Sequence, residues 1–169
     1  PERRRLEVVR KGQFEALQKE IALSERAPDF GEPRVHPSAG ATAIGARQLL
    51  IAFNINLDSA DLDLARRIAR RIRESGGGLS HVKAVGVPLA DRGLVQVSVN
   101  LTDYHITSMG QVLERVRSEA ARSGTRVLET EIYGLVPASA LIQDAVRDLQ
   151  VVGFDEAQVI DFRLPDQGR

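Results

Sequence analysis

Two stretches of this chain alternate residue by residue, and that fixes most of what it can fold into. In LLIAFNINL, Leu49, Ile51, Phe53, Ile55 and Leu57 share one face, while Leu50, Ala52, Asn54 and Asn56 share the other. In LVQVSVNLT, Val95, Val97, Val99 and Leu101 point one way, and Gln96, Ser98, Asn100 and Thr102 the other. A period of two is the signature of a strand, and its apolar side must be covered. The covering elements stand between the strands. Ser59 is placed to cap a helix from Ala60 to about Ser75, with Asp61 and Asp63 in its first turn. Leu64, Ile68 and Ile72 form the apolar stripe of that helix. Residues 108–123 read as a second helix, with Val112, Leu113, Val116 and Ala120 as its stripe.

The remaining elements complete the order. Val82 to Leu89 reads as a strand, Ala90 to Gly93 as a turn, and Arg126 to Val136 as a last long strand. Pro137 suits the first turn of a further helix, and Phe154 to Leu164 reads as a short final strand. Residues 2–26 read as a helix broken near Gly12, with Leu6, Val9, Phe14, Leu17 and Ile21 at helical spacing. Residues 27–47 hold three prolines and three glycines without apolar periodicity, and so form a long loop. The sequence β-α-β-β-α-β defines an α+β class, a ferredoxin-like plan. Right-handed crossovers put both main helices on one face of a four-stranded antiparallel sheet, with extra helices at the N- and C-terminal ends. The expected organisation is an N-terminal helical segment over 1–26, a loop over 27–47 and the ferredoxin-like domain over 48–169.

Composition narrows the function classes. The chain of 169 residues carries 23 Lys and Arg against 23 Asp and Glu, so its net charge gives no push toward nucleic acid or a membrane surface. It has no cysteine, which excludes disulfides and thiolate chemistry and fits a reducing compartment. The longest apolar run, Leu49 to Phe53, is strand-sized, well short of a membrane span. The N-terminus is charged and helical in pattern, unlike a signal peptide. The first residue is proline, as expected of a processed or excised piece.

The motifs point to binding rather than reaction. Gly76, Gly77 and Gly78 follow a helix, so they read as its C-terminal cap and turn rather than a phosphate cradle, which precedes one. Arg66, Arg67, Arg70, Arg71 and Arg73 crowd one helix, but Asp63 stands four before Arg67 and no aromatic is interleaved for base stacking. A solvated, partly paired face is the expectation. His36, His81 and His105 lack metal-ligand spacing, and no nucleophile elbow or Walker motif occurs. No residue reads as catalytic and none as a metal ligand. His36 lies in the small-residue loop, where it either touches a ligand or faces solvent. The amide-rich sheet face, polar but uncharged, suits hydrogen bonding to a heterocycle or to another domain's backbone.

Longer strings carry a resemblance. APDFGEPRVHPSAGATAIGARQLLIAFNINL, IARRIRESGGGL, VKAVGVPL, VQVSVNLTDY and TEIYGLVPASAL, in that order, together with RRRLEVVRKGQFEALQKEI before them, resemble the glutamate formiminotransferase family over nearly the whole chain. The family transfers a formimino group from N-formimino-L-glutamate to tetrahydrofolate, in histidine degradation. The resemblance implies that this chain is the linker helix and second subdomain of the transferase. Tetrahydrofolate is then the co-substrate, with no metal. The family's catalytic histidine lies in the first subdomain, in an HPR-M-G-A type string that this sequence lacks. That subdomain becomes the implied partner, and the chain alone is expected to be inactive.

The family's folate-contacting loop corresponds to Gly31, Glu32, Pro33, Arg34, Val35, His36, Pro37, Ser38, Ala39 and Gly40, where small residues let backbone approach a flat pterin. Ala39 departs from members with a large aromatic there. Arg47 at the strand mouth suits a substrate carboxylate; its ordinary alternative is a surface ion pair. Thr42, Asn54, Asn56 and Asn100 are further candidates for substrate contact. The resemblance also implies a cytoplasmic protein that binds neither nucleic acid nor membrane. A stand-alone ferredoxin-like binding or regulatory module is the alternative, and self-association into a homodimer through the polar sheet faces is a third.

Overall fold

The structure is a computed structural model, and it describes residues 3, 6–148 and 150–163. The chain divides into two compact units, Pro1–Ala46 and Arg47–Arg169.

In the first unit the helix breaks near Gly12, as expected, into two short pieces. Helices α1 (Leu6–Val9) and α2 (Gln13–Glu20) are separated at Gly12, whose φ of 76° is left-handed. This is a backbone state that glycine adopts without penalty. The helix stops at Glu20, and tight turns replace the expected helical residues up to 26. One side chain holds the break together. The Arg26 guanidinium donates to the carbonyls of Val9 (3.2 Å) and Lys11 (2.9 Å), which α1 leaves without helical partners. Beyond it the segment is irregular, apart from a bridge between His36 and Gly40.

The second unit holds the sheet. Strands β1 (Ile51–Leu57), β2 (Val82–Leu89), β3 (Leu94–Leu101) and β4 (Val127–Tyr133) form one four-stranded sheet in the order β2-β3-β1-β4. Every neighbouring pair is antiparallel, which is the ferredoxin-like arrangement. Helices α3 (Leu62–Ile72) and α4 (Met109–Arg122) cover one face. Ile51, Ile55, Leu57, Val95, Val97, Val99 and Leu101 are fully buried beneath them, with Ile68, Ile72, Val112 and Val116 from the helices. At about 25 cal/mol per Å² of buried apolar surface, this interlocked layer is the main stabilising term of the unit. Helix α3 lies directly on β2 at Gly86. A Cβ there would stand 2.4 Å from the Arg66 amide nitrogen, so only glycine admits so close a crossing.

Four local expectations change. Leu49 lies outside β1 and is 68% exposed, because pairing with β3 begins only at Ile51. Asp61, not Ser59, caps α3: its Oδ1 accepts from the amides of Asp63 (2.9 Å) and Leu64 (3.0 Å), while Ser59 Oγ accepts from the Asp61 amide one step earlier. Arg67 pairs with Asp61 (3.4 Å), and it is Arg66 that pairs with Asp63 (3.2 Å). The tail is not a strand. Asp155 caps a 3₁₀ turn over Glu156–Gln158, accepting from the Ala157 amide, and α6 (Ile160–Arg163) follows. Leu164, the end of the expected strand, lies outside the described residues. Helix α5 (Ala138–Asp148) begins immediately after Pro137 as expected.

Candidate functional site

The face of the sheet away from the helices is laid out by register. Lys83, Asn100, Ala52 and Tyr133 form one row across the four strands; Val85, Ser98, Asn54 and Glu131 form the next; Val87, Gln96, Asn56 and Glu129 form the third. The expected amides are therefore present, but β4 adds two carboxylates. The face is charged, where an uncharged one was expected.

The third row and its neighbours form a connected network. Asn56 is fully buried; its Nδ2 donates to Glu129 Oε1 (2.9 Å) and Glu131 Oε1 (3.1 Å). Gln96, 6% exposed, donates through Nε2 to Asn56 Oδ1 (2.8 Å) and Glu131 Oε2 (3.2 Å). Arg92, in the turn after β2, makes an ion pair with Glu129 and stands 3.9 Å from Glu131. Both amide NH2 groups and the Asn56 carbonyl are thus paired, which is what lets them sit buried there. The Arg92 hydrogen bond, then that from Asn56, holds the Glu129 carboxyl below its ordinary range against the opposing effect of desolvation. Two carboxylates against one guanidinium leave the network one negative charge in excess.

The other candidate residues are placed less closely together. Asn54, in the middle row, is buried, and its side chain makes no hydrogen bond among the described residues. Asn100 is exposed at the edge of the face. Thr102 falls just beyond β3, where its hydroxyl donates to the His81 carbonyl at 3.1 Å. Arg47 is exposed, and its Nη1 donates to the neighbouring Gln48 carbonyl at 3.0 Å. Among the described residues it makes no ion pair, so the ordinary alternative of a surface pair is not what holds it. Thr42 is exposed in the first unit.

Residues 31–40 are ordered by their own chain. Glu32 and Arg34 pair at 2.7 Å. His36 and Gly40 exchange backbone hydrogen bonds of 3.1 and 3.0 Å, closing a turn with Pro37, Ser38 and Ala39 at its tip. His36 Nδ1 accepts from the amides of Ser38 (3.3 Å) and Ala39 (3.0 Å). Accepting there assigns the ring proton to Nε2. The ring is exposed, yet one of its nitrogens already has a structural task. Val35 and Gly40 are half-buried and the others of this set are exposed.

Glu129, Glu131 and Arg92 are the residues that reading the sequence missed. Continuing the two-residue alternation into VLETEIY would have placed both glutamates on the amide face. Among the described residues, no three His, Asp or Glu side chains come together as a metal site. No described helix is long and apolar enough to cross a membrane.

Helices on one side of the sheet and rows of amides and carboxylates on the other define an α+β domain with one largely polar face. Residues 52–163 match the family described as "Formiminotransferase domain", and residues 1–47 match "Formiminotransferase domain, N-terminal subdomain". The second match ends at the boundary between the two compact units. The glutamate formimidoyltransferase of Streptococcus pyogenes is 47% identical over 165 residues, covering 97% of this chain and 55% of that protein. That of Thermoplasma acidophilum is 43% identical over 166 residues, covering 97% and 54%. The formimidoyltransferase-cyclodeaminase of Mus musculus is 42% identical over 151 residues, covering 86% and 28%. The chain belongs to the formiminotransferase family. It spans about half the length of the two microbial relatives.

Proposed function

We propose that this chain is the folate-binding C-terminal half of a cytoplasmic glutamate formimidoyltransferase. The whole enzyme moves the formimino group of N-formimino-L-glutamate to tetrahydrofolate. The folate nitrogen attacks the formimino carbon, and the bond from that carbon to the glutamate nitrogen breaks as that nitrogen takes up a proton. The observation that carries this reading is the built polar wall on the sheet, in a chain of this family. Buried amides hold the carboxylates in place, and the partly exposed carboxylates supply fixed hydrogen-bond acceptors, which suits a polar heterocycle or an amino acid derivative. In the other unit, the tip at Pro37, Ser38 and Ala39 has little side chain to keep a flat ligand off its backbone, so residues 31–40 are assigned to folate. Arg47 is assigned to a substrate carboxylate, since its guanidinium has only a neighbouring carbonyl to satisfy it. Thr42 and Asn100 are assigned supporting polar contacts.

Calorimetric titration of the chain with 5-formyltetrahydrofolate tests this. Saturable binding is expected, and Arg47→Ala is expected to weaken it about tenfold, the effect of losing one charge-assisted hydrogen bond. Absence of binding, both alone and after adding the half that carries the HPR-M-G-A string, would leave a binding or regulatory module of another kind. Turnover is expected only when both halves are present.

A further inference from the structure

The middle row of the sheet face has a feature that folate binding in general does not explain. Glu131 is fixed from beneath on both oxygens: Oε1 accepts from Asn56 Nδ2 at 3.1 Å and Oε2 from Gln96 Nε2 at 3.2 Å. Both donors belong to buried side chains, so the carboxylate plane is set before any ligand arrives. A carboxylate offers about four acceptor positions. These two bonds use one on each oxygen, and the Glu131 side chain is 34% exposed. Arg92 is engaged with Glu129 and stands 3.9 Å from Glu131, beyond hydrogen-bond distance.

Asn54 supplies an independent observation. It lies directly opposite Glu131 in the β1–β4 register and is 9% exposed. Its amide nevertheless has no hydrogen-bond partner among the described residues. Its polar atoms are not among the fully buried unpaired ones, so the amide reaches the open face, where a ligand can meet it without displacing a protein hydrogen bond.

Resting on the reading of this face as a substrate wall, we propose that Glu131 and Asn54 together bind the planar N–C–N edge of a ligand that presents two N–H donors. Two parallel N–H bonds match the two oxygens of a fixed carboxylate, as a guanidinium does. A third polar atom of the ligand reaches the Asn54 amide. Two sources carry this chemistry. One is the formamidinium group of an N-formimino amino acid, a cation that answers the network's excess negative charge. The other is the neutral 2-amino-4-oxopyrimidine edge of a pterin.

The test is titration of the ¹⁵N-labelled chain, reading the side-chain NH2 resonances of Asn54, Asn56 and Gln96. The probes are formamidinium chloride, isocytosine and tetramethylammonium chloride, the last supplying charge without N–H donors. Saturable shifts at Asn54 are expected with formamidinium or isocytosine; whichever binds identifies the source. Glu131→Gln is expected to raise the apparent Kd about tenfold or more. Asn54→Ala should raise it severalfold, and the remote Glu114→Gln should leave it unchanged. Should Glu131→Gln disturb the backbone spectrum, Asn54→Ala carries the test, because Asn54 has no side-chain hydrogen bond to lose. The proposal is overturned if neither probe shifts these resonances, if tetramethylammonium shifts them equally, or if both variants bind as the parent does. Saturable 5-formyltetrahydrofolate binding alongside such a failure would sink this inference alone. Probe binding without folate binding would instead sink the assignment of the chain to folate.

Discussion

Glu119 is 1% exposed and still carries its charge, because three arginines meet it: Arg71 at 2.7 Å from α3, and Arg122 (3.1 Å) and Arg115 (3.8 Å) from its own helix. The Arg71 hydrogen bond, followed by the attraction of all three guanidiniums, pulls its carboxyl below the ordinary glutamate range against the cost of burial. A pKa lower in the folded chain than in the unfolded one stabilises the fold above the unfolded value. That stabilisation is lost as pH falls through the folded value. Glu119→Gln is therefore expected to cost about 1–3 kcal/mol near neutral pH; the lower part of that range is favoured because the arginines reach solvent. The gap between parent and variant should close in acid. Urea unfolding at a series of pH values reads this directly, and a gap independent of pH would refute the charge argument. Glu119 shows what was not legible from the sequence. It stands on the stripe side of a helix amid basic residues, and only the crossing of α3 over α4 brings Arg71 to it. Glu129 and Glu131 are the opposite case, since their alternation was visible and only its extension to β4 was missing.

At the scale of elements, the start of α4 is tied to α5. Ser108 Oγ accepts from the Gln111 amide (3.3 Å), and the Gln111 side chain accepts in return from the Ser108 amide (2.9 Å). The same hydroxyl donates to Asp144 Oδ1 at 2.6 Å, and Asp144 Oδ2 accepts from the Gly110 amide at 3.0 Å. One serine thus caps a helix and docks the next. Ser108→Ala is expected to destabilise by about 1–2 kcal/mol, the upper range for a lost cap, because the docking bond goes with it. Chemical denaturation measures this, and a loss within about 0.5 kcal/mol would mean that the cap is dispensable. Element type followed from periodicity: the paired strands and the two buried stripes are where alternation and helical spacing place them. Element ends did not. Ser59 and Asp61 are both competent caps two residues apart, and the choice falls to Asp61, whose carboxylate reaches two amides at once. The C-terminal tail misled because its short apolar spacing fits a strand as well as a turn, and Asp155 settles it locally through the Ala157 amide.

For the whole molecule, the division into two units carries the last prediction. Every member of the buried apolar cluster lies between Ile51 and Ala140, within the second unit. Among the described residues of the first unit, Ile21 is the one buried apolar side chain. Burial of apolar surface is the main favourable term in folding. The second unit has its own core, a fully paired four-stranded sheet and capped helices, whereas the first relies on side-chain ties such as Arg26 to the end of α1. A chain cut to residues 47–169 is therefore expected to keep a single cooperative unfolding transition, and residues 1–46 alone to show none. The cut chain retains Glu131, Asn54 and the network beneath them, so its response to formamidinium or isocytosine should survive. Its affinity for 5-formyltetrahydrofolate should fall, because residues 31–40 go with the first unit. Loss of cooperative unfolding on removing residues 1–46 would show that the sheet core needs that segment. Unchanged folate affinity would move the folate contact from the 31–40 turn to the sheet face.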